Sequence, residues 1–213
     1  MSVSVPEVLV LGAGGHAKVL IDILQLLGTP IRGVLEPRQE LWGKTVLGVP
    51  IIAGDEYIFS HKPDDVLLVN GLGSIRDTAP RRKLYERWKA HGYRFASVIH
   101  PKAVISRQVN CGEGVQVMAG ALMNAGVTIG ENCVINTGAI LEHDCTLGAH
   151  VHIAPGARLA GSVKVGQGSH VGMGASVLQN LCLGEACLIA AGSVVVDSVE
   201  RETTVMGVPA KAK

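Results

Sequence analysis

The chain has 213 residues, with 19 Lys and Arg against 18 Asp and Glu, and a formal net charge of +1. That balance, with no basic run, argues against a nucleic-acid partner. No stretch of 18 or more apolar residues occurs, and no basic region precedes an apolar one at the N-terminus, so neither a membrane span nor a signal peptide is expected.

In chain order, Glu7–Leu11 reads as a short apolar strand. Gly12-Ala13-Gly14-Gly15-His16-Ala17 follows, then an apolar helical pattern through Leu27. Ile31–Leu35 reads as a second strand, Val66–Val69 as a third, and Pro80–His91 as a charged amphipathic helix. A strand-helix-strand series of this kind builds a small parallel sheet flanked by helices, an α/β Rossmann-like domain. The glycine run fits the dinucleotide fingerprint with Ala at its last position, and Glu36 stands near the spacing expected of a ribose-binding acid.

Taken alone, the fingerprint points to a nicotinamide dehydrogenase. About 95 residues, however, make only one mononucleotide-binding half of a doubly wound fold. What survives is the physics: glycines let backbone N–H groups approach a phosphate at a helix N-terminus. A nucleotide carrying a pyrophosphate is the expected ligand, on Gly12, Gly14, Gly15 and His16. A tight turn that binds nothing is the simpler alternative, and His16 either caps the helix or touches the ligand. Gly71-Leu72-Gly73-Ser74 is a second flexible loop at the carboxyl edge of the sheet, where such folds bind ligands.

From Ile99 onward the pattern changes. Seventeen apolar residues stand at strict six-residue intervals from Ile99 to Val195, and Gly112, Gly130, Gly148, Gly166 and Gly184 recur every 18. No α-helix or ordinary sheet has a six-residue period. Six residues make a short strand and a corner, three such units make a triangular coil, and stacked coils bury a continuous aliphatic core. The second domain is therefore an all-β parallel β-helix of hexapeptide repeats. All seven aromatic residues (Trp42, Tyr57, Phe59, Tyr85, Trp88, Tyr93 and Phe95) precede residue 96, because a narrow β-helix has no room for them. The expected domains are 1–96 and 97–213. Cys111, Cys133, Cys145 and Cys187 fall on inward positions and Cys182 just outside; without metal-type spacing they read as reduced thiols of a cytoplasmic protein.

One repeat carries chemistry. After Leu141 come Glu142-His143-Asp144, where hexapeptide residues normally face solvent and are chemically dull. The residue stacked over His143 is Gly161 and the one beneath is Ala125, so small neighbours leave a groove beside the imidazole. A flanking acid that accepts a proton from one ring nitrogen makes the other a better base. A solvated surface histidine is the plainer reading. His152 and His170, 18 apart, stack on one face with His150 nearby; stacking without metal is expected there.

These residues bring the chain close to a known group. Gly12–Ala17, Val98-Ile99-His100-Pro101, Asn136–Asp144, His152–Ala157 and Gly207-Val208-Pro209-Ala210-Lys211 together resemble the bacterial sialic-acid O-acetyltransferase-like and nucleotide-amino-sugar N-acetyltransferase family. The resemblance covers essentially the whole chain. It implies that the β-helix is left-handed and that the protein is a homotrimer with active sites between neighbouring β-helices. It further implies acetyl-CoA as co-substrate and a nucleotide-sugar held by the N-terminal domain. His143 looks like the general base and Asp144 like its orienting acid. His152, Gly161, Met173, Ala191 and Lys211 look like contacts to CoA, with Gly161 offering backbone N–H to the acetyl group. Gly12, Gly14, Gly15, His16, Glu36, Gly71 and Gly73 look like substrate contacts, joined by Asn136 across the trimer interface. Relatives that hold uracil carry two acids after the second strand, whereas Glu36-Pro37 stands here, so UDP- and GDP-sugars both stay open. Transfer to the C4 amine of an amino-deoxy sugar is the leading expectation. O-acetylation of a sialic or related acid, and a non-catalytic nucleotide-binding β-helix, are the alternatives.

Overall fold

The computed structural model describes residues 7–213; residues 1–6 of the expected first domain lie outside the described residues. The chain divides into two units: residues up to Gly73 together with Lys83–Val98, and Ser74–Arg82 together with Ile99–Lys213.

The first unit opens with β1 (Val8–Leu11), whose four residues are all buried. A strand apolar at every position is covered on both faces, as parallel strands flanked by helices are. α1 (Gly15–Leu26) follows, burying Ala17, Leu20, Ile21, Ile23 and Leu24 at helical spacing. Then come β2 (Ile31–Leu35), β3 (Thr45–Val46), β4 (Val49–Ala53), β5 (Leu67–Asn70), α2 (Ala79–Ala90, its residues up to Arg82 grouping with the second unit) and β6 (Arg94–Phe95). The sheet order is β3-β4-β2-β1-β5-β6. β1, β2, β4, β5 and β6 run parallel, and β3 pairs antiparallel with β4. The carboxyl ends of β4, β2, β1 and β5 therefore lie side by side. Tyr85, Trp88, Tyr93 and Phe95 pack with Leu9, Leu11, Ile58 and Leu68 as the unit's core.

The strands of the second unit are almost all two residues long and six residues apart. They form three sheets of eight, six and five strands. Each residue pairs in parallel with the one 18 positions on, as Leu141 does with Leu159 and Ile135 with Ile153. The core is Val, Ile, Leu, Ala, Met and Cys throughout. Corners turn through a left-handed residue every sixth position, such as Asn132 (φ 53°), Gly138 (φ 64°), Asp144 (φ 61°) and His150 (φ 61°). Where glycine is absent, several of these sites use Asn, Asp or His, the side chains that best tolerate that region. The 18-residue glycines answer a different need. A Cβ on Gly130 would stand 2.6 Å from the backbone N of Ala149 in the next coil, so that corner has no space for a side chain. Cys111 corrects the sequence reading, because it is exposed rather than packed. It lies on the first strand of the five-stranded sheet, with a stacked coil on one side only.

Candidate active site

His143 and Asp144 form a corner of the β-helix. Asp144 takes the left-handed conformation, its N–H donates to Ala125 O (3.0 Å), and His143 O accepts from Ser162 N–H (2.8 Å). The main chain is thus pinned to the coils on both sides while the side chains stand free, 62% and 65% exposed. His143 Nδ1 lies 2.8 Å from Asp144 Oδ2. A carboxylate can only accept, so Nδ1 carries a proton, and in the neutral ring the lone pair is on Nε2. Glu142, the other flanking acid, is engaged elsewhere: its Oε2 accepts from Asn124 Nδ2 at 2.7 Å. Of the two acids weighed in the sequence, Asp144 is the one on the ring.

Gly161 completes this corner. A Cβ there would fall 2.5 Å from His143 Nε2 and 2.6 Å from Cε1. Bare backbone therefore lies beside the basic nitrogen. Gly126, one coil before Asp144, similarly leaves space for its carboxylate.

A second cluster surrounds His152. Asn136 Oδ1 accepts from Thr137 N–H (2.8 Å), which fixes the amide so that Nδ2 faces His152 Nε2 at 3.2 Å. Nε2 is then an acceptor and Nδ1 a donor, to Ser74 Oγ at 2.6 Å. The hydroxyl hydrogen of Ser74 remains for a further acceptor. His152 meets His170 edge to face, with ring centroids 4.7 Å apart.

His170 is buried, its Nδ1 has no hydrogen-bond partner, and burial holds its pKa below the ordinary imidazole range. The neutral ring is the folded form. Above the unfolded value of about 6.5 the group costs the fold nothing through protonation; as pH falls below it, the unfolded chain takes up the proton first and stability is lost. The thermal midpoint is expected to drop between pH 7 and 5.5, and to drop less in His170→Gln. Equal slopes for the two proteins in thermal unfolding would refute this.

His170 also lines a cavity of about 430 Å³ with Met173, Leu188, Ala190, Ala191 and Met206, rimmed by the cations of Arg76 and Lys213. Met173 and Ala191 are thus brought together, as the sequence reading expects. Lys211 is not among the lining residues; its Nζ sits 3.8 Å from Asp197 Oδ2.

In the first unit, α1 begins without a side-chain cap and without an acid in its first turn. The first-turn N–H groups of such a helix suit an anion. A Cβ on Gly14 or Gly15 would meet nothing within 4 Å, so packing does not require glycine there. Gly12 has φ +92°, and a Cβ on Gly71 would strike Leu11 O and Ala17; these two serve the fold. A Cβ on Gly73 would press on His16 at 3.1 Å. Glu36 is buried and occupied. It accepts Ala13 N–H (3.0 Å) and pairs with Arg38 (2.7 Å), and these bonds, Arg38's foremost, hold its carboxyl below the usual range. It braces the glycine loop.

Comparison with known proteins agrees with this architecture. Residues 7–88 match the PglD N-terminal domain, and 126–161 match the bacterial transferase hexapeptide (six repeats). No curated protein sequence matches significantly. Among solved structures, PerB from Caulobacter crescentus in complex with CoA and GDP-perosamine is 37% identical with a TM-score of 0.88, over 100% of both chains. A histidine-to-asparagine mutant of perosamine N-acetyltransferase from the same organism, with the same two ligands, is 36% identical with a TM-score of 0.88, over 100% of this chain and 99% of that one. The acetyltransferase domain of PglB from Neisseria gonorrhoeae, with acetyl coenzyme A, is 33% identical with a TM-score of 0.88, over 97% and 98%. The chain belongs to the left-handed β-helix, hexapeptide-repeat acetyltransferases.

For a hexapeptide-repeat acetyltransferase the arrangement has a plain chemical sense. One imidazole is oriented by a carboxylate, a glycine backbone lies beside it, and an apolar cavity with a cationic rim lies in the same unit. Sequence reasoning placed Ser74 in a ligand-binding loop but did not bring it to His152, nor Arg76, His170 and Lys213 to one cavity. Ser74 and Arg76 sit in 74–82, which groups with the β-helix although it precedes it in the chain by many residues. The His152 and His170 spacing was visible, but only as a stack. No helix among the described residues is long and apolar enough to cross a membrane.

Proposed function

We propose that the protein transfers the acetyl group of acetyl-CoA to the C4 amine of a nucleotide-linked amino-deoxy sugar, as a homotrimer with active sites between neighbouring β-helices. The observation that carries this reading is His143, whose Nδ1 is held by Asp144 and whose Nε2 is seated beside the bare backbone of Gly161. The amine nitrogen attacks the thioester carbonyl while His143 Nε2 takes its proton. The oxyanion accepts the Gly161 N–H, to which no described residue offers an acceptor. The C–S bond then breaks, and the thiolate takes the proton back from the imidazolium. Cys145, which follows Asp144, is buried in the core with its Sγ donating to Ala160 O (3.2 Å), so no thiol is presented for a covalent acyl intermediate and transfer is direct.

The 430 Å³ cavity suits a pantetheine arm along its apolar floor, with Arg76 and Lys213 for phosphates. Met173 and Ala191 contact CoA there, and His152 meets its thioester end. Gly14 and Gly15, glycine without a packing reason, take the pyrophosphate of the sugar nucleotide, and Asn136 serves the sugar across the trimer interface. The relatives that bind CoA, acetyl coenzyme A and GDP-perosamine support the same pairing of ligands.

The test is thiol release from acetyl-CoA with UDP-, GDP- and CMP-linked 4-amino sugars, with the free amino sugar as control. Release with a nucleotide-linked amine and an N-acetylated product is expected. Acetylation of a sialic-acid hydroxyl in preference to every amine would overturn the proposal.

A further inference from the structure

The first unit holds a second cavity of about 480 Å³, lined by Pro37, Trp42, Ala53, Gly54, Asp55 and Tyr57 among others. Apart from Arg87 on α2, its residues lie at the carboxyl ends of β2, which neighbours β1, and of β4 beyond it. The glycine loop follows β1 itself. A nucleotide whose pyrophosphate rests on that loop therefore has its base directed along the strand ends toward this cavity, or away from it toward β5.

The cavity side is built for a flat, hydrogen-bonding ring. Trp42 Nε1 donates to Glu36 O at 2.8 Å, which locks the indole beside Gly54. The neighbouring charges are already paired: Arg38 with Glu36 and Arg87 with Glu56, both at 2.7 Å. Asp55 is different. It is half-buried and takes no hydrogen bond from any described residue; burial, its largest influence, raises its pKa against the opposing attraction of Arg87, whose guanidinium is bonded to Glu56. A desolvated carboxylate without donors is unfavourable unless a ligand supplies them.

Resting on the nucleotide-sugar reading above, we infer that this cavity holds the base and that Asp55 is a specificity-determining residue selecting guanine. A carboxylate offers two acceptors and no donor. Guanine presents two adjacent donors on one edge, N1–H and the exocyclic N2 amine. Uracil presents a single N–H between two carbonyl oxygens, which a carboxylate repels. Adenine and cytosine each place a ring acceptor where the carboxylate needs a donor. Hypoxanthine keeps N1–H and lacks the amine.

The experiment is calorimetric titration of the full chain with GDP, IDP, ADP, UDP and XDP, for wild type and Asp55→Asn. Wild type is expected to bind GDP at least tenfold more tightly than IDP or UDP, since sites built for a hydrogen bond reject analogues that lack it. In Asp55→Asn the GDP preference is lost and XDP binding is gained, because an amide matches the N–H and carbonyl edge of xanthine. That gain cannot come from damaged folding. Equal affinity for UDP and GDP in wild type, or undiminished GDP preference in Asp55→Asn, overturns the assignment. Acetylation of a UDP-linked amine with no GDP preference sinks Asp55 alone and leaves acetyl transfer standing. Tight, Asp55-dependent GDP binding with no acetylation of any sugar nucleotide does the reverse.

Discussion

Replacing His143 by Ala is expected to lower kcat for acetyl transfer by about 10²–10⁴-fold, the range that a positioned general base contributes. The KM for acetyl-CoA should change little, because the cavity of Met173, Ala191 and His170 does not include His143. The structure makes the loss specific to chemistry. The imidazole is exposed and packs into no core, and the corner is held by main-chain bonds through Asp144 N–H and His143 O. A surface side chain of this kind contributes within about 0.5 kcal/mol to folding. The thermal midpoint should therefore stay near wild type while turnover collapses. Asp144→Asn offers a graded companion, since an amide donor can hold Nδ1 unprotonated and present the wrong tautomer. Steady-state kinetics with thiol detection reads both variants. Turnover of His143→Ala within threefold of wild type would remove His143 as the base.

Much of this was legible in the chain because the fold is periodic. A six-residue period from Ile99 to Val195 has one physical explanation, and the 18-residue glycines mark the corner where coils touch through backbone. His143 stood out because Glu142, Asp144 and Gly161 interrupt positions that are usually dull. What escaped was aperiodic. The hairpin of β3 and β4 turns through Leu47 (φ 48°) and Gly48 (φ 83°), and leucine is an unusual choice for a left-handed turn position, so no turn signal announced it. Residues 74–82 group with the β-helix without carrying its period, because they belong to none of its coils. Glu36 was legible as an acid near a glycine loop, but not its use, which depends on Ala13 N–H and Arg38 meeting it in space. Asp55 belongs to no motif; only the cavity around it gives it meaning. Cys111 shows the limit of reading burial from register, since the first coil is covered on one side only.

Gly161→Ala separates the geometry of the site from the stability of the fold. The added methyl would stand 2.5 Å from His143 Nε2, so the ring must swing away. Gly161 needs no left-handed backbone, so alanine adopts its conformation without strain. The obstacle is the far end of an exposed side chain, which moves cheaply; at Gly166 the same methyl would meet the main chain of Gly184 and Glu185 at 2.5 Å, which cannot yield. The expected variant is a folded protein with an unchanged thermal midpoint, and with kcat lower by about 10²-fold, the effect of a displacement near 1 Å at a reacting group. The backbone N–H of residue 161 is still present, so the loss reports the imbalance of base and acetyl group rather than a missing donor. His143→Ala and the double variant should then be nearly equal in rate, because the methyl has nothing left to displace. Wild-type turnover in Gly161→Ala would mean that the ring reaches its substrate from another direction, and the corner described here would lose its claim to the chemistry.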